Sequence, residues 1–261
     1  MVVWFEIMTS SELKEALNDT EHRPYPLPKG PWVVRMRWRD LLFMHWSVPE
    51  SLLRPLIPSV LELDTFNGAA WLGVTPFSME RTRPRFLPAV PWLSSFPELN
   101  VRTYVTAERK PGIWFFSLDA ANPIAVRLAR ATFSLPYFDA DMSCQVCKDK
   151  VRYTSARTHK DAPPARLKAS YRPVGKPFES YPGTLESFLT ERYCLYSADT
   201  KARVWRGDIH HRPWPLQEAE AQVEDLEMAS QIGVTLPETE PLLHYARCLD
   251  VVAWPPRPIN A

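Results

Sequence analysis

Apolar and polar positions alternate with a period of two along much of this chain, and proline-rich segments break the alternation into short pieces. Residues Thr9 to Asn18 depart from it and predict a short helix, with Thr9 and Glu12 spaced as a capping box. HRPYPLPKGP (22–31) cannot be helical and reads as a connector. WVVRMRWRDLLFMHWSV (32–48) is β-like, and Arg35, Arg37 and Arg39 alternate with Met36 and Trp38, so the arginines share one face, read here as solvated. Ser47 and Glu50 form a second capping box, opening a helix to Leu56 that Pro58 ends. LELDTFNGAAWLGVTPFSME predicts two strands joined at Phe66-Asn67-Gly68. Residues 81–97, with four prolines, predict a surface loop.

From Asn100 to Glu108, Val101, Thr103 and Val105 share one face, and Arg102 and Tyr104 share the other. Lys110-Pro111-Gly112 predicts a turn, and Ile113 to Leu118 an apolar return strand. Asn122 caps a helix with Pro123 at its first position, and Pro136 ends it. Short β segments follow, then a helix from Thr184 to about Arg192, and a hairpin of Tyr193–Ser197 with Arg203–His211. EAEAQVE (218–224) alternates strictly and reads as strand, although its composition is helical. Glu227 to Ile232 predicts a short helix capped by Gly233, and one more strand ends the chain. The sum is an α+β protein: many antiparallel strands in a closed or nearly closed β-barrel, with a few short flanking helices. Residues 1–31 form an N-terminal extension and 32–261 a single domain.

Composition narrows the class. With 27 prolines against 8 glycines, short elements on rigid connections are favoured over long helices. A formal net charge of +1 gives no reason to expect nucleic acid as a partner, and no apolar run approaches the ~20 residues of a membrane span. The N-terminus lacks the basic region of a secretory signal. Four cysteines are no disulfide framework, and a reduced, cytoplasmic protein is the expectation.

Glu98, Asn100, Arg102 and Tyr104 stand at alternate positions and point the same way. Facing outward they make a solvated strand; facing inward they converge a carboxylate, an amide, a guanidinium and a phenol on a ligand. Cys144 and Cys147 form a C-x-x-C with no second pair, which fits neither a zinc ribbon nor a thioredoxin-like site, so neither metal nor cofactor is expected. His45 and His244, each beside an aromatic residue, fit a site or a core equally.

LLFMHWSV, ELNVRTYV, GIWFFSLDA, LESFLTERYCLY and PLLHYARCLDVVAW together resemble the YqjF-like family of uncharacterised conserved proteins, from about Trp38 to Trp254. More distantly, the middle of the chain is similar to acetoacetate decarboxylase. That likeness implies a β-barrel with a buried interior site, in which the decarboxylase joins its substrate to a lysine as an imine. The corresponding run here ends Ser134-Leu135-Pro136, and Tyr137 occupies the lysine position, with Phe138 at that of a second lysine. Glu98 matches one of the two active-site glutamates; the other falls near Leu72. A phenol forms no imine, so the likeness implies the fold and the site location and speaks against the activity.

The expectation is an enclosed pocket for a small anionic keto or enol acid. Glu98 serves there as acid or base and Tyr137 as donor to a carbonyl or enolate oxygen, with Arg102, Tyr104, Arg130 and Asn100 binding the ligand. One reading is a metal-free proton-transfer enzyme without an imine; the other is a non-catalytic binder that lost decarboxylase chemistry. Self-association as a homo-oligomer is left open.

Overall fold

The structure, a computed structural model, describes residues 10–259. Helix α1 (Ser10–Asn18) leads through the proline-rich connector to β1 (Val34–Val48). The expected cap at Thr9 lies outside the described residues. Helix α2 (Glu50–Leu53) begins after Pro49, and Ser47 is not its cap, because Ser47 stays in the strand ladder opposite Trp71. Next come β2 (Glu62–Leu63) and β3 (Ala70–Pro84). A bridge between Phe66 and Ala69 closes the Asn67-Gly68 turn, yet β2 pairs with β4 (Phe96–Ala107) rather than with β3. The segment expected to be a loop holds the end of β3, helix α3 (Pro91–Ser94) and the start of β4.

Strand β5 (Lys110–Ala120) returns from β4 through Glu108-Arg109, both left-handed (φ 49° and 58°). Lys110-Pro111-Gly112 therefore lies inside the strand and not at the turn. Gly112 serves close packing instead: a Cβ there would stand 2.8 Å from the Cys194 carbonyl oxygen and from the Tyr196 ring. Helix α4 (Pro123–Phe133) is capped as expected, the Asn122 side chain accepting from the amides of Ile124 and Ala125. The remaining elements are β6 (Tyr137–Cys147), β7 (Lys150–Arg157), β8 (Arg166–Phe178), α5 (Leu185–Thr190), β9 (Cys194–Ala198), β10 (Val204–His210), β11 (Leu216–Glu227), β12 (Leu242–Ala253) and β13 (Arg257–Pro258). EAEAQVE lies within β11, and the expected helix after it is a single 3-10 turn, Ser230–Ile232.

These strands join one sheet, in which β5-β6-β7-β8-β11-β12-β1-β3-β4 run in order and β4 pairs back to β5, closing a ring. The sheet is mixed, where a mainly antiparallel one was expected. The reason is α4, a crossover that brings the chain back so that β6 runs parallel to β5; β9 also pairs with β5 in parallel. No helix among the described residues is long and apolar enough to cross a membrane.

Both faces of the strands that carry the site are covered. On β1, Leu42, Met44 and Trp46 enter one core with Leu99 and Val101 of β4, while Leu41 and Phe43 enter a second with Leu118 and Tyr137. Arg35 and Arg37 are buried and converge on Asp250 of β12, at 3.5 and 2.7 Å, instead of facing solvent. Helix α1 covers that end of the sheet: Leu13, Ala16 and Leu17 close over Arg35 and Asp250 around a space of about 10 Å³. His210 donates from Nε2 to the Ala16 carbonyl (2.6 Å), and Arg23 donates to the Ile209 carbonyl (2.9 Å), tying the extension down.

Asn122 also donates to the carbonyls of Trp92 (3.1 Å) and Leu93 (3.4 Å), so it fixes α4 and the α3 segment at once. Loss of a cap costs about 0.5–2 kcal/mol. Asn122→Ala is expected to lower the melting temperature by roughly 1–8 °C in a thermal scan, allowing about 2–4 °C per kcal/mol in a chain of this size.

Candidate functional site

The even-numbered face of β4 carries Glu98, Asn100, Arg102 and Tyr104, and all four are buried. Burial turns each into a demand for a partner, since an unsatisfied polar group away from water costs about 1–3 kcal/mol. Which demands are met, and by what, defines the site.

At one end stands the Glu98–Tyr137 pair. Glu98 lies opposite Ala120 of β5, and Tyr137 opposite Leu118, so the two side chains meet across β5 beside a small residue. The Tyr137 hydroxyl donates to Glu98 Oε2 at 2.9 Å. No cation is paired with Glu98 among the described residues; burial raises its pKa to about 8, against only a modest lowering by the Tyr137 bond. Burial and the Glu98 carboxyl hold Tyr137 as a phenol, well above its ordinary range. Tyr153 fixes the backbone here by donating to the Glu98 carbonyl at 2.7 Å.

At the other end, His45 of β1, Gly73 of β3 and Arg102 of β4 are in register across three strands. Gly73 leaves the space they use: a Cβ there would stand 3.1 Å from His45 Cδ2 and 3.3 Å from Arg102 Cγ. The Arg102 guanidinium lies 5.0 Å from the centre of the Phe43 ring, and its Nη2 reaches the Leu189 carbonyl at 3.5 Å. Among the described residues no carboxylate lies within ion-pair distance of Arg102, and its Nε has no partner. By contrast, Arg192, also buried and 4.9 Å from the Tyr104 ring, is neutralised by Asp64 at 2.6 Å. Tyr104 contacts His45 Nε2 at 2.6 Å and donates to the Leu189 carbonyl at 2.8 Å. Burial first, then Arg102 and His244, keeps His45 neutral by lowering its pKa well below the usual value.

Between the two ends Asn100 faces Thr75 in register, and neither Asn100 Oδ1 nor Thr75 Oγ1 has a partner. Arg130 stands apart from the others: it is exposed on α4 and donates to the Tyr137 carbonyl at 2.6 Å. The line of candidates read from the sequence is thus brought together except for Arg130. His45, Thr75, Gly73 and Arg192 join it. His45 interrupts the run LLFMHWSV and carried the only sequence signal among these; Arg192 gave none. Cys144 and Cys147 are three apart on β6, on opposite faces, and free. None of the lysines is buried. Neither the space beneath α1 nor a surface hollow of about 330 Å³ between Lys150 and Gln222 is lined by the Glu98–Tyr104 row.

Known proteins place this architecture. The fold is that of the acetoacetate decarboxylase-like proteins: an acetoacetate decarboxylase structure is similar with a TM-score of 0.61 at 14% identity, covering 94% of this chain and 97% of that one. The enduracididine biosynthesis enzyme MppR, solved with pyruvate, is similar with a TM-score of 0.61 at 12% identity, covering 91% of this chain and 93% of that one. At the level of sequence the chain belongs to the DUF2071 family, described as an uncharacterized conserved protein, which matches residues 35–250. It is 49% identical over 231 residues to the uncharacterized protein YqjF of Bacillus subtilis (strain 168), spanning 88% of this chain and 94% of that protein.

Glu98 makes stability pH-dependent. Its folded pKa of about 8 lies above the ordinary 4.5, so between those values the folded chain holds a proton that the unfolded chain has released. The contribution is complete below about 4.5 and fades as pH rises toward 8. Glu98→Gln removes this dependence. In denaturant titrations the stability of wild type relative to the variant should fall by up to about 1.4 kcal/mol per pH unit through that window.

Proposed function

We propose that the chain takes up a small anionic organic acid with a carbonyl or enol group along the buried even face of β4. There it moves a proton without forming an imine. The observation that carries this reading is the pairing of opposites along one buried row: a carboxyl with no cation at Glu98 and a guanidinium with no carboxylate at Arg102. A buried unmatched cation is costly, and a ligand carboxylate would supply its missing partner with charge-assisted hydrogen bonds. MppR, solved with pyruvate, supports that ligand class by analogy of fold.

In this mechanism Arg102 holds the carboxylate, with Asn100 and Tyr104 bordering it. Arg130 acts indirectly, by fixing the backbone of Tyr137. Glu98 in its ionised form takes a proton from the carbon beside the carbonyl. Tyr137 turns its hydroxyl from Glu98 to the oxygen on which negative charge develops. A carboxylate with a pKa near 8 is a far stronger base than an ordinary glutamate. Tyr137 at the lysine position and the lack of any fully buried lysine speak for a route without an imine. The four free cysteines suit a reducing, cytoplasmic setting.

Loss of the methyl protons of pyruvate in deuterated water, followed by NMR, tests the reading. The wild-type protein should accelerate it, with a rate that rises with pH toward about 8 as Glu98 ionises. Tyr137→Phe should lower the rate by about 100-fold with pyruvate affinity kept, the range that general acid–base groups supply. Binding without exchange leaves the binder; no binding of pyruvate ends the keto-acid reading.

A further inference from the structure

We propose that the connection between β3 and β4 docks the protein on an anionic lipid surface. Phe86, Leu87 and Trp92 enter the bilayer interface, and Arg81, Arg83 and Arg85 pair with lipid phosphates. This goes beyond the ligand chemistry above and does not depend on it.

The connection is firmly built, yet its largest apolar side chains are turned to solvent. The Arg85 amide donates to the Val33 carbonyl (2.9 Å), the Leu87 amide to that of Pro84 (3.1 Å) and the Leu93 amide to that of Val90 (2.9 Å). The Val90 amide donates to Ser94 Oγ at 2.8 Å. Pro84, Pro88 and Pro91 stiffen the segment further. Even so, Phe86 is 89% exposed, Trp92 68% and Leu87 57%. Lone exposed apolar residues are ordinary, but a cluster of them on one short, ordered segment marks an interaction surface. Asn122 ties the same segment to α4, whose Ile124 and Leu128, one turn apart, are exposed as well.

Charge selects the occupant. Residues 81–97 hold three arginines and no acid, although the whole chain carries a net charge of only +1. Glu80, beside Arg81 in sequence, is engaged by Arg39 at 3.6 Å, and Glu98 is buried. Among the described residues no carboxylate lies within ion-pair distance of Arg81, Arg83 or Arg85. Arg85 lies over aromatic faces instead, 5.1 Å from the centre of the Trp32 ring and 5.4 Å from that of Phe86. A second copy of the chain seated here about a two-fold axis would set these arginines against their own images. A protein partner would need a cavity shaped to Phe86, which stands clear of its own surface. A bilayer takes protruding apolar side chains wherever they meet it, and arginines beside them pair with anionic headgroups.

Co-sedimentation of the full chain with lipid vesicles tests this, using phosphatidylcholine alone and phosphatidylcholine mixed with phosphatidylglycerol. Wild type should bind the mixed vesicles at least about tenfold more tightly than the neutral ones, and salt should weaken that binding. Arg81, Arg83 and Arg85 changed together to Gln should bring it down to the neutral level. Phe86→Ser with Trp92→Ser should lower it by about tenfold or more, which pairing with phosphate alone would not show. Tyr181→Ser, at an aromatic residue 75% exposed between β8 and α5, should leave it unchanged. These three side chains are exposed, so both serine variants should keep the wild-type melting temperature. Failure of wild type to bind the mixed vesicles, or equal binding by the Phe86 and Trp92 variant, overturns the inference and leaves the surface to an acidic protein partner. A concentration-dependent dimer in the analytical ultracentrifuge that Phe86→Ser dissolves also overturns it, and gives the surface to a second copy.

Discussion

Burial of β4 on both faces is the constraint from which the rest of the site follows. Its odd face, with Leu99 and Val101, is ordinary apolar core. Its even face points into a second core in which Glu98, Asn100, Arg102 and Tyr104 are denied water. A strand with one wet face would have left these residues solvated and chemically dull. Leu189 of α5 over Arg102 and Tyr104, and Tyr137 of β6 over Glu98, remove that escape.

Strand geometry then decides the electrostatics. Glu98 and Arg102 are four residues apart on an extended backbone, about 13 Å at ~3.3 Å per residue. A helix would have set the same spacing one turn apart and allowed an ion pair. The strand keeps them separate, with Asn100 between. Each does without an opposite charge, Glu98 by holding its proton and so staying neutral, Arg102 by lying against the Phe43 ring.

Much of this was legible in the chain because it depends on local pattern. The alternation that puts Glu98, Asn100, Arg102 and Tyr104 on one face, the Asn122 cap and the strand character of EAEAQVE are properties of neighbours in sequence. What was not legible depends on distant segments. Arg35 and Arg37 alternate as solvated residues do, and only α1 and Asp250 make them interior. Gly112 resembles a turn residue until Cys194 and Tyr196 come to lie against it. Ser47 loses its capping role because the ladder with β3 claims its backbone first. Arg130 has the right spacing from Tyr137 to touch it, but does so through the Tyr137 carbonyl, from the outside of the helix. His45 was ambiguous for a physical reason: one histidine in an apolar run reads alike whether its nitrogens are satisfied or left open.

The unmatched guanidinium of Arg102 also bears on how long the protein survives in a cell. A buried cation without a counter-ion subtracts from a folding free energy that is only about 5–15 kcal/mol to begin with, and an anion that occupies the site returns it. On the anion role proposed for Arg102, molecules that hold a ligand would be spared by proteases that sample the unfolded state, and empty ones cleared sooner. The amount of this protein in a cell would then track the supply of a metabolite, with no change in how much is made.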